Sequence, residues 1–184
     1  GGGTTDIAVF SLGDIVVDKT IKIAGDEMDE DIINYVREKY NVLIGERTAE
    51  DIKISMGSAM PLKKEKKSPV QGRDLLTGLP KIVELSSVEV REAIMNTISV
   101  ITESVKDAIE ETPPELLKDL LTSGVSLAGG GALIMGLDTF WSKELNIPIK
   151  IVEDPLSTVA RGTALMLDHI ELLERVQKSW EELI

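Results

Sequence analysis

Two glycine triplets constrain this chain more than any other feature: Gly1, Gly2 and Gly3 ahead of Thr4 and Thr5, and Gly129, Gly130 and Gly131 ahead of Ala132. A run without side chains lets backbone N–H groups come close to a phosphate or a nucleotide ring, and each triplet stands where a strand pattern meets a turn. Two such turns can hold one nucleotide from two sides. On pattern alone, tight turns with no ligand account for the same residues equally well.

The 184 residues suit one domain or two small lobes. At 42% hydrophobic and 3% aromatic, the core must be built from Ile, Leu, Val, Ala and Met. A net charge of -12 and a pI near 4.6 argue against nonspecific nucleic-acid binding, because a polyanion is repelled over most of such a surface. The chain has no cysteine, so disulfides and thiolate metal sites are excluded and a reducing compartment fits. Its one histidine, His169, leaves imidazole-based metal or triad chemistry without partners and reads as a helix-surface residue. No apolar run reaches bilayer length and no signal-peptide pattern opens the chain, so a soluble chain is expected.

Ile7 to Leu12 and Ile15 to Ile23 read as a hairpin turning at Gly13 and Asp14. Asp26 is placed to cap a helix from Glu27 to Tyr40, whose Met28, Ile32, Ile33, Val36 and Tyr40 share a face. The acids Asp26, Glu27, Asp29, Glu30 and Asp31 lack calcium-loop spacing and read as first-turn helix acids. Thr48 and Asp51 predict a capping box for a helix over Ala49 to Met56. In that helix Glu50 and Lys53 lie three apart on one face. They suit a surface ion pair or, in a cleft, contacts to ribose hydroxyls with the lysine stem over a base.

Met60 to Gln71, basic at Lys63, Lys64, Lys66 and Lys67, reads as a solvated loop. Two short strands are expected around Thr77 to Pro80. Ser86 and Glu89 then open a long helix to Glu111, and a leucine-rich helix from Thr112 and Pro113 stops at Gly124. Val125 to Ala128, the second glycine triplet and the period Leu133, Ile134, Leu137, Phe140 give strand, turn and helix, an arrangement that presents amides to an anion or a base. Ile149 to Val152 is a further strand. From Ser157 the chain reads as helix, with Gly162 allowing close passage of another helix.

GGGTTD at 1 to 6, GDEMDEDIINYV at 25 to 36, IGERTAEDIK at 44 to 53, GRDLLTGLPK at 72 to 81, TPPELLKDLL at 112 to 121, LAGGGALIMGLD at 127 to 138 and EDPLSTVARGTA at 153 to 164 together resemble the MreB family of bacterial actin homologues. The likeness runs in consistent order along the chain and covers only the C-terminal half of that family's proteins. It implies an actin-like α/β fold, with a ribonuclease-H-like subdomain over 1–24 and 97–156, a smaller inserted α/β subdomain over 25–96, and an interlobe hinge or C-terminal helix over 157–184. By position, Gly1, Gly2, Gly3, Thr4 and Thr5 match the second phosphate turn, with Thr4 a candidate catalytic residue that orders the attacking water. The aspartate ahead of that turn in the family would lie before Gly1. Glu50 and Lys53 match the Glu-x-x-Lys adenosine contacts, Gly129, Gly130, Gly131 and Ala132 the adenosine turn, and Val159 to Ala164 the hinge helix.

The resemblance further implies ATP or ADP with Mg2+ as cofactor of the full-length protein, while this half alone turns over ATP poorly because the remaining phosphate and metal-ordering groups come from the other lobe. It implies self-association into filaments, a RodZ-like shape protein as partner, and a cytoplasmic place at the inner membrane face reached through the other lobe. A sugar kinase or an Hsp70-type chaperone of the same superfamily is the alternative, as is a partner-binding module. No basic residue directly follows Gly131, as it would in the chaperones, and GRDLLTGLPK favours MreB. An apolar side of the last helix, Val159, Met166, Ile170, Leu173, Val176 and Trp180, is expected to be exposed without the other lobe.

Overall fold

The molecule is a computed structural model that describes residues 1–167. Strands β1 (Thr5–Ser11) and β2 (Asp14–Ile21) form the expected antiparallel hairpin, paired from Thr5 with Ile21 to Ser11 with Asp14. Its turn falls at Leu12 and Gly13, both with positive φ, which matches the right-handed twist of the two strands. Helix α1 (Gly25–Tyr40) follows directly.

Asp26 does not cap α1. The N-cap is Ala24, without a side-chain bond, and the first N–H groups of the helix donate instead to the glycine turn: Gly25 N to Gly1 O at 3.3 Å and Asp26 N to Gly2 O at 3.0 Å. A tertiary contact thus satisfies donors that a local side chain was expected to satisfy. Helix α1 buries Met28, Ile32 and Val36, and with them Asp29. It stops at Asn41, which adopts the left-handed conformation.

The two-residue strand β3 (Val42–Leu43) leads to α2 (Glu46–Met56). The Thr48 capping box is not formed either, because the helix starts three residues earlier than that reading needs. Its N-cap is Gly45, whose carbonyl accepts from Ala49 N at 3.1 Å, so Thr48 lies inside the first turn.

The expected loop from Met60 to Gln71 is half strand: β4 (Lys67–Asp74) pairs antiparallel with β5 (Pro80–Ser86) on one side and with β3 on the other, in the order β3-β4-β5. Pro69 is accommodated because β3 pairs only with Asp74 and Arg73 and leaves the rest of that edge of β4 open. The preceding Glu65 and Lys66 are pinned rather than solvated. Arg91 bonds Glu65 at 2.8 Å, and Lys66 N donates to Ser87 Oγ at 2.8 Å.

The capping box of Ser86 and Glu89 is present and opens α3 (Ser87–Glu111). This long helix is the spine of the molecule, burying Val90, Ile94, Ile98, Ile101 and Val105, and it packs against α1, the hairpin, α2 and β5. Helix α4 (Pro114–Ser123) ends at Gly124, as the sequence indicates. Strand β6 (Val125–Leu127) pairs in parallel with β7 (Ile149–Ile151), and α5 (Leu137–Leu145) lies between them in sequence. Trp141 of α5 is buried on α3, its indole N–H donating to Thr102 Oγ1 at 2.8 Å.

Among the described residues β1 pairs only with β2 and β6 only with β7. Thr5 to Ala8 and Val125 to Ala128 face one cavity of about 170 Å³, floored by Ile98, Ile101 and Val105. Helix α6 (Thr158–Leu167) buries no residue, and Val159, Leu165 and Leu167 are exposed. A side chain at Gly162 would meet nothing within 4 Å, so the close helix crossing expected there is absent among the described residues. Met166 is half-buried. His169, Ile170, Leu173, Val176 and Trp180 lie outside the described residues.

Candidate functional site

Where the first glycine turn, the start of α1, α2 and the second glycine turn meet, they enclose a cleft of about 790 Å³. Gly1, Gly2, Thr4 and Thr5 form one wall, Gly129, Gly130 and Gly131 another, and Glu50 with Lys53 a third. The two glycine turns touch. A side chain added at Gly129 would lie 3.8 Å from the Gly1 nitrogen, and Gly129 already has a φ of 82°, a conformation that L side chains rarely adopt. At Gly2 an added side chain would come within 2.9 Å of Asp26 Oδ1, so the Asp26 carboxyl would have to shift to admit it.

Two of the sequence-selected residues do not line this cleft. Ala132 is buried and lies on the inner cavity beneath it. Gly3 is exposed beside Asp26. Thr4 is exposed and donates to Asp6 Oδ2 at 3.3 Å, whereas Thr5 donates to Ile23 O at 2.8 Å and ties the turn to the end of the hairpin. The segment after Gly129 is not a direct α-helix start. A 3₁₀ turn, Gly130–Leu133, comes first, and α5 begins only at Leu137.

Glu50 and Lys53 do not pair with each other. Lys53 Nζ instead bonds Asp29 Oδ2 at 2.6 Å and Gly25 O at 2.8 Å. Burial pushes the Asp29 carboxyl above its ordinary range; the bond and charge of Lys53 oppose this only in part, and Glu50 and Asp26 add to the rise. In the sequence Asp29 reads as an ordinary first-turn acid, yet it falls on the row Gly25, Asp29, Ile32, Val36, the buried stripe of α1, where an acid requires a partner.

The electrostatics of the cleft are lopsided. Among its described lining residues Lys53 is the only basic side chain, and Asp29 already neutralises it, while Asp6, Asp26 and Glu50 are acidic. No group of three or more His, Asp or Glu is placed to hold a metal ion among the described residues. The rim, in contrast, is apolar: Ile54, Leu133, Leu156 and Val159 line it and are all more than half exposed. Such walls suit a flat ring and hydroxyl groups better than a polyphosphate.

The MreB/Mbl protein family profile matches residues 1–175. The chain belongs to the MreB/Mbl family. The cell shape-determining protein Mbl of Bacillus cereus is 47% identical over 175 residues, 95% of this chain and 53% of that protein. The cell shape-determining protein MreB of Escherichia coli K12 is 45% identical over 172 residues, 94% of this chain and 50% of that protein. The crystal structure of MreB5 of Spiroplasma citri bound to ADP superposes with a TM-score of 0.89 at 43% identity, covering 92% of this chain and 51% of that one. The fold is therefore actin-like, of the MreB kind, and the chain spans about half the length of the curated relatives it matches. Membership of this family sets aside the sugar-kinase and chaperone readings.

Proposed function

We propose that this chain is the adenosine-side half of a nucleotide-dependent, actin-like filament protein that maintains rod cell shape and organises wall synthesis. One observation carries the reading. Two glycine turns face one cleft, which they line with Gly1, Gly2, Thr4 and Thr5 and with Gly129 to Gly131; its only basic side chain among the described residues is already neutralised and its rim is apolar. Within it Gly129 to Gly131 lie against the base, Glu50 accepts from the ribose hydroxyls, and the Lys53 stem covers the ring. The Gly1 to Thr5 turn faces the phosphates, with Thr4 orienting water. When bound in the complete protein, ATP with Mg2+ supplies the phosphoryl group that is transferred to water.

Hydrolysis needs donors and a metal around the transferring phosphoryl, and those come from the other lobe of the longer protein. This half alone therefore binds nucleotide weakly and does not turn it over. On the same reading, 1–24 with 97–156 form the ribonuclease-H-like subdomain, 25–96 the inserted one, and 157–184 the hinge. The complete protein assembles with itself, meets a RodZ-like shape protein, and works at the inner membrane face through its other lobe.

The test is an NMR titration of the chain with adenosine and ADP. Shifts concentrated at Gly129 to Gly131, Glu50 and Lys53, with no phosphate release from ATP, are expected. Perturbations confined to another face, or turnover that disappears in Thr4→Ala, would refute the assignment.

A further inference from the structure

We propose that Asp29 is a positioning residue for Lys53: it anchors the ammonium to α1, so that the lysine stem stands as a fixed wall of the nucleoside side of the cleft and its charge is withheld from the phosphates. This rests on the nucleotide-binding reading above and adds a residue that touches no ligand.

The geometry is specific. Lys53 extends from α2 across to α1, where it donates to Asp29 Oδ2 and to the carbonyl of Gly25. Gly25 leaves room for this, since a side chain there would lie 3.2 Å from Nζ. Two of the three ammonium donors are thereby fixed to one helix, and that helix in turn hangs from Gly1 and Gly2 through its first two amides. The lysine, the phosphate-side turn and α1 are thus tied together by hydrogen bonds.

Asp29 is not there for stability alone. As a residue it is about nine-tenths buried, with its side chain 13% exposed, and its Oδ1 has no hydrogen-bond partner among the described residues. A buried ion pair left incompletely bonded contributes little that an apolar pair would not. What the pair does provide is a defined direction for a long, otherwise rotatable side chain at the edge of a binding cleft. Acids already crowd this wall, with Asp26 and Glu50 close enough to act on the Asp29 carboxyl. An unanchored Lys53 would turn toward those carboxylates or toward a bound phosphate.

The experiment compares the wild-type chain with Asp29→Asn and Asp29→Glu, titrating each by NMR with adenosine, ADP and inorganic tripolyphosphate and recording thermal unfolding in parallel. Asp29→Asn is expected to weaken adenosine and ADP by a common factor of roughly tenfold, the size of one charge-assisted hydrogen bond, while tripolyphosphate binding holds or tightens. Asp29→Glu should recover part of the adenosine affinity. A structural role alone would lower the unfolding temperature and leave the adenosine-to-tripolyphosphate ratio unchanged, and that result overturns the inference. If Asp29→Asn does not fold, the same ratio in Asp29→Glu decides. Absence of any adenosine-induced shift in the wild-type chain defeats the nucleotide reading itself, which is a different outcome from normal wild-type binding with an unchanged ratio.

Discussion

A buried carboxylate on α1 and a half-buried one at the start of α3 meet opposite fates. Glu89, at the start of α3, accepts from Ser86 N at 2.7 Å, from the Ser86 and Tyr40 hydroxyls, and lies 2.9 Å from Lys39 Nζ. Burial alone would raise its pKa, but these donors together hold it at about 2. Asp29 has one cation, one oxygen without a partner among the described residues, and a raised pKa. A saturated carboxylate locks an element in place; an unsaturated one at a cleft marks a site where geometry matters more than stability.

Removing Lys53 should break this contrast most severely. Lys53→Ala leaves Asp29 buried without a cation and is expected to cost about 3 kcal/mol near neutral pH in urea unfolding. Because the Asp29 carboxyl is already poised upward, the penalty should shrink as pH falls and the group takes a proton.

Next comes Glu89→Gln, expected to cost about 2 kcal/mol by the same measurement. The wild-type contribution has a definite pH window. A folded pKa of about 2 against an ordinary 4.5 means that Glu89 stabilises fully above that ordinary value, and the stabilisation is lost as pH falls from there toward 2. The variant should flatten that acid limb of the stability curve; an unchanged limb would show that the network does not couple to folding. Smallest is Lys67→Ala. Lys67 and Glu84 sit 2.6 Å apart but are 67% and 64% exposed, so the loss should stay below about 0.5 kcal/mol. A larger effect would mean that exposure does not separate these pairs.

What could be read in the sequence follows the range of the interactions involved. The hairpin, the Ser86–Glu89 box and the stop at Gly124 are local devices and stand where their residues put them. The start of α1 was misread because its donors are satisfied by Gly1 and Gly2, more than twenty residues away. Strand β4 is hidden by Lys67, the lysines just before it and Pro69, tolerable because β3 is two residues long. Of the site, both glycine turns and the Glu50–Lys53 spacing were visible, since backbone freedom and helical period are sequence properties. The burial of Asp29 is legible from its place on the apolar stripe of α1, but its partner is not: that depends on α2 crossing α1, which the local string of acids does not announce.

The seam between β1 and β6 has a practical corollary. Two short ladders of backbone donors and acceptors look at each other across a greasy slot with no strand between them. Unpaired ladder edges are where an extended peptide can add itself, so this slot is the place at which a further strand would complete a continuous sheet.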